Sequence, residues 1–175
     1  MKKITVFILI LIGVLIYFLK TNITTMEKIE VGDKIPTFVL QDQNGNPFHV
    51  SSAHGKPMVI YFYPKDETAG CIKEACKFRD EFEDFLALNT LVIGISSDNV
   101  ASHKKFEKKY NLPFTLLADT KNEVRKLFGV PKSMLFLPGR VTYVVDKNGI
   151  VQYIFNSQFR AEKHIENALL KLKKI

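Results

Sequence analysis

The sequence predicts an α/β fold, a central mixed β-sheet flanked by helices, with an N-terminal transmembrane helix ahead of it. Three observations carry this. Segments 57–63 (PMVIYFY) and 90–97 (TLVIGISS) are largely apolar and rich in β-branched or aromatic residues, as suits strands buried on both faces. Between them, Ala75, Phe78, Phe82, Phe85 and Leu86 recur at helical spacing, which supplies the crossover that two parallel strands need. Ahead of everything stands MKKITVFILILIGVLIYFLK, whose residues 4–19 carry no charge.

Taking the elements in order, sixteen apolar residues at helical rise span about 24 Å, short of a hydrocarbon core of roughly 30 Å. Flanking lysines that snorkel close the gap, so residues 4–19 are read as crossing a membrane. The exit, Tyr17-Phe18-Leu19-Lys20-Thr21-Asn22, lacks the small residues of a signal-peptide cleavage site, which favours an uncleaved anchor over residues 1–20. Lys2 and Lys3 outweigh Lys20, which keeps the N-terminus in the cytoplasm and puts the domain on the outer, periplasmic or extracytoplasmic, side. A start at Met26 would instead give a cytosolic form. Residues 21–30 read as a linker and 31–175 as one domain, a size consistent with the 175-residue chain.

Within that domain, TFVLQDQNGNPFHV places two short apolar runs around Asn44-Gly45, a hairpin signal. After strand 57–63 comes the helix from Cys71 to Leu88, then strand 90–97. A helix over 100–110 follows Ser97-Asp98-Asn99, a strand lies at 114–119, and Gly129 stops a short helix ending at Phe128. RVTYVVD and IVQYIF flank the turn KNG as a second hairpin, and a basic amphipathic helix from Ala161 to Lys174 closes the chain. Alternating strands and helices followed by a hairpin and helix give a mixed sheet, with sites at the C-terminal ends of its parallel strands.

The net charge of +7 includes three lysines of the first twenty residues, so residues 21–175 carry 22 basic and 18 acidic groups. The clusters HKKFEKK (103–109) and LLKLKKI (169–175) read as solvated helix faces. No glycine-rich phosphate loop, helix-turn-helix pattern or aromatic-basic array is present, so no nucleic-acid partner is expected.

Chemistry concentrates in YFYPKDETAGCIKEACKFRD, which holds both cysteines of the chain, Cys71 and Cys76. Cys71 falls in the first turn of its helix, where unpaired N–H groups and the positive dipole end favour a thiolate, the nucleophilic form. Pro64 fixes the chain as it leaves the strand. Thr68, three residues before Cys71, can turn its hydroxyl toward the sulfur. Arg140, opening the strand RVTYVVD, is the candidate for a positive donor beside it. On an intact helix the Cα atoms of Cys71 and Cys76 lie about 8.6 Å apart. A disulfide tolerates at most about 7 Å, so either the thiols never bond or the first turns unwind when they do. The second case makes Cys71 the attacking thiol and Cys76 a latent resolver.

Together with VGDKIPTFVL upstream and GRVTYVVDKNG downstream, this stretch resembles the peroxiredoxins, and among them the bacterioferritin comigratory protein or peroxiredoxin Q subfamily. The likeness runs from about Val31 to the C-terminus. The family's P-x-x-x-T-x-x-C appears as Pro64, Thr68 and Cys71, joined by Arg140 downstream. The resemblance implies a thioredoxin-like fold, a peroxidatic Cys71 and a resolving Cys76. It further implies hydrogen peroxide or an alkyl hydroperoxide as substrate, a thioredoxin-like dithiol protein as reductant, and no metal or organic cofactor. A monomer is expected. Ala69 departs from the subfamily, which has Pro there, and the anchor departs from relatives that are soluble.

Two other readings keep the same fold. A membrane-anchored copper-binding assembly factor would separate its cysteines by three residues rather than four, so that both thiolates face one metal, and would add a histidine. A thiol–disulfide oxidoreductase, with Pro138 gripping substrate, would carry C-x-x-C. Outside the motif, His49, His54, His103 and His164 read as solvated, Tyr61 and Phe62 as strand core, and Glu67 and Arg79 as residues flanking the site.

Overall fold

The computed structural model describes residues 28–133 and 137–175. Its first strand pair is set by turn chemistry. β1 (Val39–Asp42) and β2 (Pro47–His49) run antiparallel around Gly45, which takes φ +84°, while Asp42 Oδ1 accepts from the N–H groups of Asn44 and Asn46. The apolar run becomes β3 (Met58–Phe62), buried at every residue. It pairs in parallel with β4 (Leu91–Ser96), Met58 opposite Leu91 through Phe62 opposite Ile95.

β5 (Thr115–Ala118) continues in parallel beyond β4. A separate ribbon pairs β6 (Lys132–Ser133) with β7 (Leu137–Pro138). β8 (Val141–Val145) lies antiparallel to β3, and β9 (Val151–Asn156) lies outside it. The result is the expected mixed sheet, seven strands in the order β2-β1-β5-β4-β3-β8-β9.

Alternation along β3 divides the core in two. Val59 and Tyr61 face α1 (Ala69–Asp80), α2 (Phe82–Ala87), α3 (Val100–Tyr110) and α5 (Ala161–Leu172), packing with Ala75, Phe78, Phe85, Phe106 and Ile165. Met58, Ile60 and Phe62 face the other way, onto Val124 of α4 (Glu123–Leu127) and onto Phe128. Asn99 caps α3 by accepting from the N–H of Ser102, and Gly129 ends α4 at φ +59°, as the sequence suggests.

Two expectations need correction here. The helix drawn from Cys71 to Leu88 is two helices, because Glu81 leaves helical geometry at φ −100°, ψ 11°. The bend turns Phe85 fully inward and leaves Leu86 about half exposed, so Leu86 is not a core residue. The N-terminal transmembrane helix is not supported. No helix among the described residues is long and apolar enough to cross a membrane. Residues 4–19, on which that reading rests, lie with Met26 outside the described residues.

Candidate active site

Strand pairing decides which residues meet. The ladder between β3 and β8 ends at Phe62 opposite Val141, so the chain leaving β3 through Tyr63 and Pro64 runs beside Arg140, which enters β8. After half-buried Pro64 the loop is tied down at Asp66. The Asp66 carboxylate accepts from Tyr63 O–H at 2.8 Å and Ser102 O–H at 2.7 Å, and meets His103 Nδ1 at 3.0 Å. Its own N–H donates to Asp98 Oδ2 at 2.8 Å. Burial pushes the Asp66 carboxyl up, but these partners outweigh it and the net shift is downward. His103 is fully buried, its Nε2 donating to the Leu117 carbonyl at 3.2 Å, so the expectation that it is solvated is wrong.

Beyond Asp66 the chain is exposed through Gly70, and Glu67 adopts φ +60°. Glu67 accepts from Lys109 Nζ at 2.6 Å and from the hydroxyl of Tyr110. Arg79 donates to the carbonyl of the same Tyr110, so these two flanking residues brace the loop and helix against the end of α3. Thr68 stands at the N-cap of α1, where its carbonyl accepts from the N–H groups of Cys71 and Ile72, each at 2.9 Å. Its hydroxyl donates to the Lys65 carbonyl at 3.1 Å and makes no capping bond, a correction to the expectation that it turns to the sulfur.

Cys71 occupies the first turn of α1 and is 2% exposed, and Cys76 is half-buried further along the same helix. Both are free thiols, as unbroken helix between them requires. Arg140, also 2% exposed, donates from Nη2 to Cys71 Sγ at 3.3 Å. Gly70 leaves room for this approach, since a Cβ there would lie 3.1 Å from Arg140 Nη2. Arg140 Nη1 pairs with Glu74 Oε2, and Nε donates to the Gln158 carbonyl at 3.3 Å. Burial works against the Arg140 charge, but Glu74 and Cys71 outweigh it and hold the guanidinium protonated.

Sequence reasoning missed Glu74. The signal was its position three residues after Cys71, on the apolar face shared with Ala75 and Phe78. Burial pushes its carboxyl up to about 8, against the pull of Arg140. Its Oε1 has no hydrogen-bond partner among the described residues and lies 3.8 Å from His164 Nδ1. His164 is buried rather than solvated. Its Nε2 faces the Ser157 carbonyl at 2.9 Å, so Nε2 carries the hydrogen and Nδ1 accepts from the Thr142 hydroxyl at 2.8 Å. Burial lowers its pKa to about 4, which keeps the ring neutral. His49 and His54 are exposed, as expected.

A buried thiol at a helix start, with a guanidinium donating to its sulfur, can hold a thiolate and stabilise an oxyanion formed beside it. Among the described residues no group of three or more His, Cys, Asp or Glu is arranged to hold a metal ion. A family model described as AhpC/TSA matches residues 31–154. The chain belongs to the AhpC/TSA family. Within it the chain is a peroxiredoxin of the Q, or bacterioferritin comigratory, group.

The chloroplastic peroxiredoxin Q of Oryza sativa subsp. japonica is 56% identical over 143 residues, which are 81% of this chain and 66% of that one. The chain thus spans just under two thirds of the rice protein. Chloroplastic peroxiredoxin Q of Sedum lineare is 54% identical over 143 residues, 81% of this chain and 77% of that one. Among solved structures, the peroxidoxin BcpB of Mycobacterium tuberculosis matches at TM-score 0.78 and 35% identity, covering 84% of this chain and 98% of the other. The α/β fold of this peroxiredoxin is therefore thioredoxin-like, as the resemblance implied. The plant relatives are named as chloroplast proteins, and no described helix can cross a membrane. Neither finding supports the expected membrane anchoring with the domain on the outer side.

Proposed function

We propose that the protein is a thiol-dependent peroxidase that reduces hydrogen peroxide and organic hydroperoxides through Cys71. The observation that carries this reading is the Arg140 Nη2–Cys71 Sγ hydrogen bond at 3.3 Å, formed at the start of α1. The Cys71 thiolate attacks the terminal oxygen of the peroxide. An S–O bond forms, the O–O bond breaks, and the leaving alkoxide or hydroxide takes a proton from solvent. Cysteine is oxidised to the sulfenic acid as the peroxide is reduced to alcohol or water. Arg140 stabilises the charge developing on the peroxide oxygens. Pro64 shapes the loop, and Thr68 holds the first turn through its carbonyl.

Cys76 then attacks the Cys71 sulfur, the hydroxyl leaves as water, and a disulfide results. A thioredoxin-like dithiol protein reduces it, ending oxidised itself. No metal or organic cofactor enters this scheme, and the working unit is a monomer. The thiol–disulfide oxidoreductase and copper-binding readings have less support, because Cys71 and Cys76 stand five positions apart on one helix. The test is peroxide consumption by reduced protein with thioredoxin and its reductase. Wild type is expected to turn over and Cys71→Ser to be inactive; activity surviving in Cys71→Ser refutes the assignment.

A further inference from the structure

Arg125 is 7% exposed and lies on α4, across the sheet from Cys71, where the chemistry above makes no use of it. Its guanidinium donates from Nη2 to the Tyr63 carbonyl at 2.7 Å and from Nη1 to the Gly139 carbonyl at 2.9 Å. Tyr63 immediately precedes Pro64 and Gly139 immediately precedes Arg140. The β3–β8 ladder has ended one residue earlier, so the fork spans the two strands just where their own pairing stops. Both ends of the fork are fixed. Asp119 accepts from the N–H groups of Glu123, Val124 and Arg125, which sets the start of α4, and the guanidinium lies 5.5 Å from the centroid of the Phe62 ring. Gly139 is held against Pro131, whose carbonyl accepts its N–H at 3.1 Å and would lie 2.2 Å from any Cβ there.

We propose that Arg125 is a positioning residue for the peroxidase reaction: it clamps the Tyr63 and Gly139 carbonyls and so sets the placement of Arg140 against the Cys71 loop. The role rests on the peroxidase reading and acts through backbone, not through contact with peroxide. A planar fork aims donors from two separate nitrogens at the two carbonyls, whereas a lysine ammonium carries its donors on one nitrogen and does not reproduce that spacing. Charge is then insufficient and geometry decides.

The test is a double-mutant cycle on the second-order rate at which hydrogen peroxide oxidises Cys71, with Cys71 alkylation by iodoacetamide as a parallel readout and circular dichroism as a folding check. Displacing a reacting group by about 1 Å costs up to ~100-fold, so Arg125→Met is expected to slow oxidation by that order and Arg125→Lys by ~10-fold. In an Arg140→Met background, Arg125→Met is expected to change the rate by less than ~3-fold, because the residue it positions is gone. Should Arg125→Met fail to fold, Arg125→Lys carries the same cycle. Wild-type rates in Arg125→Lys, or losses at 125 and 140 that multiply independently, overturn the clamp. If the wild type itself ignores peroxide, the peroxidase reading fails, and the alkylation cycle alone decides whether Arg125 acts through Arg140.

Discussion

The two halves of the site face each other across 3.3 Å yet are held in opposite ways. Arg140 enters a strand whose five residues are all buried, and its guanidinium has three acceptors, Cys71, Glu74 and Gln158. Cys71 sits in a first helical turn whose preceding residues, 67–70, are exposed, with Glu67 in a left-handed conformation and no side-chain cap at Thr68. In this turn the N–H groups of Cys71 and Ile72 share the one Thr68 carbonyl and no side chain caps the end, so it opens before the sheet does. Asp66, bound by Tyr63 just after β3 and by Ser102 and His103 of α3, marks where the firm part stops. The difference fits a division of labour: in the proposed cycle the electrostatic half stays fixed while the thiol half moves to meet Cys76. Movement is not free, since it withdraws buried Cys71 and separates Glu74 from Arg140.

Arg140→Met is expected to slow oxidation of Cys71 by ~10²–10³-fold, about 2.7–4 kcal/mol, the usual loss for one preorganised donor. Stopped-flow oxidation at an unchanged rate would show that the guanidinium is only structural.

On the movable side, Cys76→Ser is expected to leave the first oxidation intact and to remove turnover with a thioredoxin-type reductant. Its sulfenic acid persists, and mass spectrometry at high peroxide should show more sulfinic acid than in wild type. Equal sulfinic yields in the two proteins would remove Cys76 from the cycle.

The smallest effect belongs to the fixed side and is read as stability. His164 is held neutral, its pKa lowered from 6.5 to about 4 by burial. Between those values the unfolded chain takes up a proton that the folded chain refuses. This contribution is therefore intact above pH 6.5 and lost as pH falls toward 4, by at most about 3 kcal/mol. Denaturant titrations of His164→Asn should show a flatter fall over that window than wild type; equal slopes would contradict the assignment.

Much of this was legible in the sequence, for reasons that also explain what was not. Strand β3 is apolar without interruption, and α3 has its cap at Asn99, so both announce themselves locally. Cys71, Pro64 and Thr68 lie within eight residues of one another, and the structure brings Arg140 to Cys71 as proposed. The bend at Glu81 was hidden because Phe82 and Phe85 continue the helical stripe. Partners far apart in sequence were invisible: Asp66 and His103 are separated by 37 positions, Glu74 and Arg140 by 66. A lone histidine or glutamate then reads as solvated. Arg125 was overlooked for the same reason, since beside Lys126 it looks like a surface charge and both of its acceptors are backbone carbonyls. The Thr68 hydroxyl was misplaced because the nearer Lys65 carbonyl competes for it.

In the proposed cycle the thiol half opens while the guanidinium half stays closed. Amide hydrogen exchange, compared between the reduced protein and the 71–76 disulfide form, tests it most directly. Oxidation is expected to speed exchange across residues 69–78 and to leave β3, β4 and β8 protected, with Cys76→Ser remaining protected throughout after the same peroxide treatment. Equal exchange across 69–78 in both redox states, with the disulfide verified by mass, would contradict the account: the helix would not have to unwind, and the division between a fixed and a movable half would fall.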